Sequence, residues 1–260
     1  MKKARTIAIA NQKGGVGKTT TTMNLGHALA RQGYQVLLVD SDPQGNLTRY
    51  LGAPPDALLD ELYLLKKKPS REALFPFIRR CSELLHFVGC DSDLAGVEYF
   101  LFSREERELV LARWIDLLRE EFDYILIDTP PSLNLLTLNA LVAADEVLVP
   151  VQPEFFSLEG LAKLRSSIQG VQARWNPRLK LGGIVVTQSQ QRRKLTAEVL
   201  SNLQQEFGTL VFQTKIRDSA SLSESSGHSQ SIFDYAPRSN GSEDYLALAE
   251  EFINQEATLS

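Results

Sequence analysis

Cysteine is scarce in this chain. Among its 260 residues there are two, Cys81 and Cys90. They have neither Cys-x-x-Cys spacing nor a histidine partner, which excludes a disulfide framework and a thiolate metal cluster. They read as ordinary thiols in a reducing compartment. Long apolar runs are missing too. No stretch approaches the ~20 apolar residues of a membrane span. The basic start Met1-Lys2-Lys3-Ala4-Arg5 leads through a short apolar run into polar Asn11-Gln12-Lys13, so it is not a signal peptide. Positive charge is not in excess: 28 Lys and Arg stand against 32 Asp and Glu, a net charge of −4. That balance does not advertise nucleic-acid binding, although it leaves room for a local basic patch. No linker rich in Gly, Pro or Ser divides the chain, and no internal repeat is visible. A single domain over residues 1–260 and a soluble, cytoplasmic protein are expected.

What is present is a core. Hydrophobic residues make up 43% of the chain and charged ones 23%, which suits a folded α/β domain rather than a disordered chain. Short continuous apolar runs at 6–10, 36–39, 84–88, 124–127, 146–151 and 181–187 predict strands covered on both faces, as in a parallel sheet. Weaker strand signals lie at 210–212 and 232–233. Helical periodicity fills 19–32, 104–121, 133–143, 158–173, 194–207 and 243–254. The alternation predicts a doubly wound α/β fold with a mostly parallel sheet flanked by helices. The serine-rich run 218–231 reads as a loop, and 257–260 as a frayed end.

The first strand runs into Lys13-Gly14-Gly15-Val16-Gly17-Lys18-Thr19-Thr20 and then a helix. Strand, glycine-rich loop and helix form the context of a phosphate-binding loop. Glycines let backbone N–H groups curl around phosphate oxygens, and the helix start adds its dipole. Lys18 supplies charge to the β- and γ-phosphates, and the Thr19 hydroxyl is a Mg²⁺ ligand. The usual pattern begins with glycine five residues before the glycine of its Gly-Lys; here that position is Gln12. A second lysine, Lys13, stands inside the loop.

Two further strands end in acids. The run 36–39 leads to Asp40-Ser41-Asp42-Pro43. Alternation puts Asp40 and Asp42 on one side if the strand continues; the alternative is two acids in a turn before Pro43. The run 124–127 ends in Asp128-Thr129-Pro130-Pro131, like a Walker B strand whose aspartate binds Mg²⁺. Carboxyl ends of strands are where open α/β sheets bind ligands.

The loop resembles the deviant Walker A loop of the ParA/MinD family of P-loop ATPases. The segments Val149-Pro150-Val151-Gln152-Pro153-Glu154-Phe155-Phe156-Ser157-Leu158-Glu159-Gly160, Leu222-Ser223-Glu224 and Tyr235-Ala236-Pro237-Arg238-Ser239-Asn240-Gly241 are similar to the Soj-like, chromosome-partitioning branch. The resemblance implies ATP/ADP and Mg²⁺ as cofactors, held by Lys13, Gly14, Gly15, Val16, Gly17, Lys18, Thr19 and Thr20. It implies Lys13, Lys18 and Asp42 in catalysis, with Lys13 crossing to the partner's phosphates and Asp42 orienting the attacking water. It further implies Thr19, Asp40 and Asp128 around the metal, a switch-like segment at 129–132, and adenine near Ile216–Ser219, including Arg217 and Ser219. A solvated surface lysine remains the alternative for Lys13.

Family likeness also implies an ATP-dependent homodimer, nonspecific double-stranded DNA, a nucleoid location and a ParB-type activator that stimulates hydrolysis. Candidate DNA contacts are Arg174, Arg178, Lys180, Arg192, Arg193, Lys194, Lys215, Arg217 and Arg238, each of which has a solvated charge as its plain alternative. Two departures bear on DNA. Ser221 stands where the branch often has a basic residue, and Glu224-Ser225-Ser226 replaces Glu-Ala-Pro. A ParA-like positioning ATPase for a non-DNA cargo stays open. With the loop starting near residue 11, an N-terminal helix-turn-helix domain is not expected. The tail from Glu243 to Glu256 is acidic and lacks Lys and Arg, unlike the basic membrane helix of MinD-like proteins. The cysteines do not suit the nitrogenase iron-protein branch.

Overall fold

Continuous apolar runs make central strands here because both faces of the sheet are covered. The computed structural model describes residues 3–52, 59–64, 70–154, 157–190 and 194–259. In chain order the elements are β1 (Arg5–Ile9), α1 (Lys18–Arg31), β2 (Val36–Asp40), α2 (Asn46–Tyr50), α3 (Leu59–Leu64), β3 (Arg79–Arg80), β4 (Leu85–Val88), α4 (Leu94–Leu101), α5 (Val110–Leu118) and β5 (Tyr124–Asp128). There follow α6 (Leu135–Ala143), β6 (Glu146–Val151), α7 (Ser157–Arg174), β7 (Lys180–Ser189), α8 (Lys194–Phe207), β8 (Val211–Arg217), α9 (Ala220–Gly227), α10 (Ile232–Tyr235) and α11 (Asn240–Leu259).

The strands form one eight-stranded sheet in the order β3-β4-β2-β5-β1-β6-β7-β8. All neighbours are parallel except the edge pair β3 and β4. Alternate residues of a strand enter different cores. Val36 and Leu38 of β2 join Met23, Leu25 and Leu29 of α1 and Leu248 and Phe252 of α11. Leu37 and Val39 join Leu94 of α4, Trp114 of α5, Leu136 of α6, Leu161 of α7 and Leu203 of α8. The expected doubly wound fold is therefore the one observed.

Four expectations need correction. The pair Ile232 and Phe233 is in helix α10, not a strand; the Ser231 hydroxyl accepts from the Asp234 N–H at 3.3 Å and starts the turn. The serine-rich run 218–231 holds helix α9. Its serines fit because their hydroxyls turn back on the helix: Ser225 Oγ donates to Leu222 O at 3.0 Å and Ser226 Oγ to Ser223 O at 2.7 Å. The helix expected at 104–121 is α-helical only over Val110–Leu118, after a 3₁₀ turn at Arg107–Leu109 and a left-handed Glu106 at φ 53°. At the C-terminus, α11 runs on through Leu259. The short elements α2, α3, α4 and β3 were not anticipated, being too brief for periodicity to register.

His27 of α1 has its Nε2 buried without a hydrogen-bond partner among the described residues. Burial holds the ring neutral and pushes its pKa down from 6.5 to about 4; Asp234 opposes this and Arg31 adds to it. The unfolded chain then binds more protons than the native state between those values, so stability is lost as pH falls through that window. A loss of about 2–3 kcal/mol by pH 4 is expected from this one group. His27→Gln should remove that part of the pH dependence, read as the difference between the urea midpoints of the two proteins at pH 7 and pH 4.5.

Candidate functional site

Three parallel strands deliver the site. In register, Asp128 of β5 lies beside Ile9 of β1 on one side and Asp40 of β2 on the other. The loop that leaves β1 therefore starts between β6 and a strand that ends in a buried acid. Gly15 and Gly17 have φ of 74° and 85°, the left-handed region that glycine enters without a Cβ penalty. Gly17 caps α1 with no side-chain hydrogen bond, and the first turn contains no acid. The leading backbone N–H groups of α1 thus remain for an anion.

The two loop lysines differ in environment. Lys18 is 7% exposed, and its Nζ donates to the Lys13 carbonyl at 3.2 Å. Burial lowers its pKa, with Asp128 and Asp42 opposing. The Lys13 side chain is 46% exposed and its Nζ meets Glu154 at 2.5 Å and Gln152 Oε1 at 3.1 Å. A Cβ added at Gly14 or Gly15 would meet nothing within 4 Å, so the outer rim of the loop faces open space. Val16 is buried behind it.

Asp128 and Asp40 are both fully buried. Thr19 Oγ1 donates to Asp128 at 2.7 Å and Thr22 Oγ1 at 3.4 Å. Burial, then the neighbouring Asp40, raises the Asp128 pKa well above the usual carboxylate range, with Thr19 and Lys18 opposing. Burial also raises Asp40, to about 6, against hydrogen bonds from Thr48. The Thr48 N–H and hydroxyl reach Asp40 Oδ2 at 2.8 and 2.7 Å, and the Asp42 N–H reaches Oδ1 at 3.3 Å. Strand β2 stops at Asp40, so Asp42 reaches the site by a turn and not by strand alternation. The Gly45 N–H closes that turn on Asp42 O at 2.8 Å. Asp42 is 6% exposed.

Beside the loop lies a cavity of about 260 Å³ lined by Gly17, Thr20, Ile216, Arg217, Ser219 and Tyr245, among others. The residues expected to pass the base are thus brought to the phosphate loop. The Arg217 guanidinium is occupied, however: it donates to Asp244 at 2.7 Å and to Glu243 at 3.0 Å. Those bonds to Asp244 and Glu243 raise its pKa further. Among the described residues, the basic ones expected to meet DNA do not all converge. Arg174, Arg178 and Lys180 sit at the amino end of β7, while Lys215 and Arg217 lie toward the carboxyl end of β8. Phe155, Phe156, Arg192 and Arg193 lie outside the described residues, as does the side chain of Lys194.

Would a triphosphate and a divalent cation suit these residues? Buried carboxylates with raised pKa values, a hydroxyl from Thr19 and a buried lysine make an oxygen-rich, charge-seeking site. Among the described residues no group of three or more His, Cys, Asp or Glu side chains is arranged to hold a metal. Thr48 and Thr22 went unrecognised in the sequence, because no local spacing marks a threonine that bonds an acid from another element.

A family described as an AAA domain matches residues 4–181. The chromosome partitioning protein ParA of Myxococcus xanthus is 42% identical over 258 residues, covering 98% of this chain and 90% of that protein. The sporulation initiation inhibitor protein Soj of Bacillus subtilis is 41% identical, covering 94% of this chain and 96% of that one. The chain belongs to the ParA/MinD family of P-loop ATPases. A solved structure named cobyrinic acid a,c-diamide synthase, from Mycobacterium smegmatis and with bound ADP and magnesium, superposes with a TM-score of 0.83. It is 35% identical and covers 99% of this chain and 97% of its own. Within this ParA-type chain, the departure at Ser225 has a structural use: its hydroxyl lies 2.7 Å from the buried Tyr50 hydroxyl.

Thr48 holds Asp40 and also accepts from the Cys90 N–H at 2.9 Å. Thr48→Val leaves the Cys90 N–H without its acceptor and Asp40 Oδ2 with the backbone N–H of residue 48 alone, and a loss of about 1–3 kcal/mol is expected. Urea unfolding should show a lower midpoint at unchanged slope, with Thr48→Ser close to wild type.

Proposed function

We propose that this protein is a ParA-type partitioning ATPase whose ATP-bound form is a sandwich dimer. The observation that carries the reading is the opposed setting of the two loop lysines, one buried beside Asp128 and Asp42 and one exposed on the open rim. A loop that needs only its own phosphate-binding lysine has no use for a second, outward-facing cation. A second copy gives Lys13 a destination, the phosphates held by the partner, where an added cation stabilises developing charge. Dimerisation and nucleotide binding are then linked.

In this reading Gly14 to Thr20 hold ATP or ADP, with the base in the cavity by Arg217 and Ser219. Thr19 and Asp128 would hold Mg²⁺, with Asp40, in register beside Asp128 and itself held by Thr48, in support. Bound there, Mg²⁺ supplies charge neutralisation on the phosphate oxygens. Asp42 orients the attacking water at the edge of the same cluster. Asp42→Ala is therefore expected to lower hydrolysis about 10²-fold or more, by analogy with the loss of a general base. It should leave an ATP-dependent dimer that persists in sedimentation; normal turnover would remove Asp42 from the reaction. Gly14→Val should keep nucleotide binding but abolish that dimer, because it fills the open rim.

The partners in this reading, supported by likeness to partitioning proteins, are nonspecific double-stranded DNA bound by the dimer and a ParB-type protein that stimulates hydrolysis and resets the cycle. The setting is cytoplasmic and nucleoid-associated. Among the described residues no helix is long and apolar enough to cross a membrane. The apolar residues Tyr245, Leu248 and Phe252 of α11 are committed to the core. The dispersal of the basic residues and the capture of Arg217 by Asp244 and Glu243 favour a second reading, in which the same switch positions a cargo other than DNA. A mobility-shift assay across salt with ATP, ADP or no nucleotide separates them. The first reading expects binding with ATP only, weakening as salt rises. Nucleotide-indifferent or absent binding at low salt selects the second.

A further inference from the structure

The end of β7 grips the phosphate loop through two consecutive side chains. Thr187 Oγ1 lies 2.8 Å from Val16 O, and Gln188 Nε2 donates to Gly15 O at 2.9 Å. Gly15 O accepts a second amide, Gln152 Nε2, at 3.1 Å. Gln152 Nε2 also donates to Gln188 Oε1 at 2.6 Å, while Gln152 Oε1 accepts from Lys13 Nζ. Lys13, Gln152, Gln188 and the Gly15 carbonyl are thus joined in one hydrogen-bonded chain.

Gln188 makes these contacts from a backbone φ of 50°, inside the left-handed region where a non-glycine residue is uncommon. The position falls within the register shift between Val186 and Ser189 in the pairing of β7 with β8. A residue stays in such a conformation when its surroundings over-determine it, and such residues gather where a site must be held ready. Here the surroundings include the two amide contacts. Gln188 also lines the 260 Å³ cavity beside the loop.

We propose that Gln188 is a positioning residue: it pre-organises the phosphate loop by holding the Gly15 carbonyl and, through Gln152, sets the resting place of Lys13. The physical reason lies in the planar peptide unit. A carbonyl held on one side of the loop leaves the N–H across the same peptide bond facing the other side. With the carbonyls of Gly15 and Val16 held by β6 and β7, the donors that follow them are presented toward an anion before it arrives. Pre-ordering of this kind raises affinity by removing the cost of ordering on binding. The inference rests on the reading of the loop as a nucleotide site.

Two variants test it. Gln188→Asn keeps an amide and tolerates a left-handed backbone, but is one methylene too short to reach Gly15. Gln188→Leu keeps the bulk and removes the amide. Calorimetric titration of each full-length protein with Mg²⁺-ATP is expected to show affinity about tenfold weaker than wild type, the scale of one or two lost hydrogen bonds. In steady-state hydrolysis KM should rise by a similar factor with kcat unchanged, and the nucleotide-free Gln188→Asn protein should melt at the wild-type temperature. A merely structural role would instead lower the melting temperature and leave KM alone, and that result overturns the proposal. Wild-type affinity in both variants overturns it equally. Failure of the wild-type protein to bind ATP would instead sink the nucleotide reading of the loop itself.

Discussion

Two aspartates stand side by side at the ends of neighbouring strands, both withdrawn from water. Asp128 and Asp40 are in register across β5 and β2. Their carboxylates have threonine hydroxyls, backbone N–H groups and the buried Lys18 for company. Burial raises the pKa of both acids, and neighbouring carboxylates add to it, Asp40 for Asp128 and Asp42 for Asp40. The apolar strands make this arrangement possible because their packing against helices on both faces fixes where each acid ends. The same packing makes it costly, since the apolar side chains around the strand ends cannot solvate a charge. A site built this way is poised for a cation and a polyanion together.

The phosphate loop answers the same constraint from the other side. It brings one buried ammonium to the acids and turns the start of α1 toward an incoming anion without a side-chain cap. Its outer rim is left bare, and Lys13 rests there on Glu154 and Gln152. Both of these partners come from the segment after β6, so the resting position of the second lysine is set by an element some 140 residues away in sequence. The loop and the two strand ends β6 and β7 are joined as one hydrogen-bonded assembly.

Much of this was legible in the linear sequence. Runs such as 124–127 had only one structural solution once no polar residue interrupted them, and the acid ending each run fell where the loop needed it. The phosphate loop needed no tertiary information because its glycines and lysines act within a few residues of one another. Elsewhere composition misled. The serines of α9 looked like a loop because their helical compatibility depends on hydroxyls bonding back into the helix, as Ser225 does to Leu222. Ile232 and Phe233 looked like a strand because two buried apolar residues carry no period. For Asp42 the sequence left strand alternation and a turn before Pro43 both open, and the end of β2 at Asp40 selects the turn.

The sequence by itself determined the layered fold, the phosphate loop and the identity of its acids, because these depend on periodicity and on neighbours along the chain. Tertiary structure decided the rest. It chose which hydroxyls hold the buried carboxylates and bound Arg217 to Asp244 and Glu243 in place of leaving it free. It also separated the basic residues onto different ends of the sheet and closed the chain from Lys13 through Gln152 and Gln188 to Gly15. Each of those outcomes joins residues from distant elements, and a hydrogen bond of about 3 Å between them exists only once the sheet order has set which strand ends are neighbours.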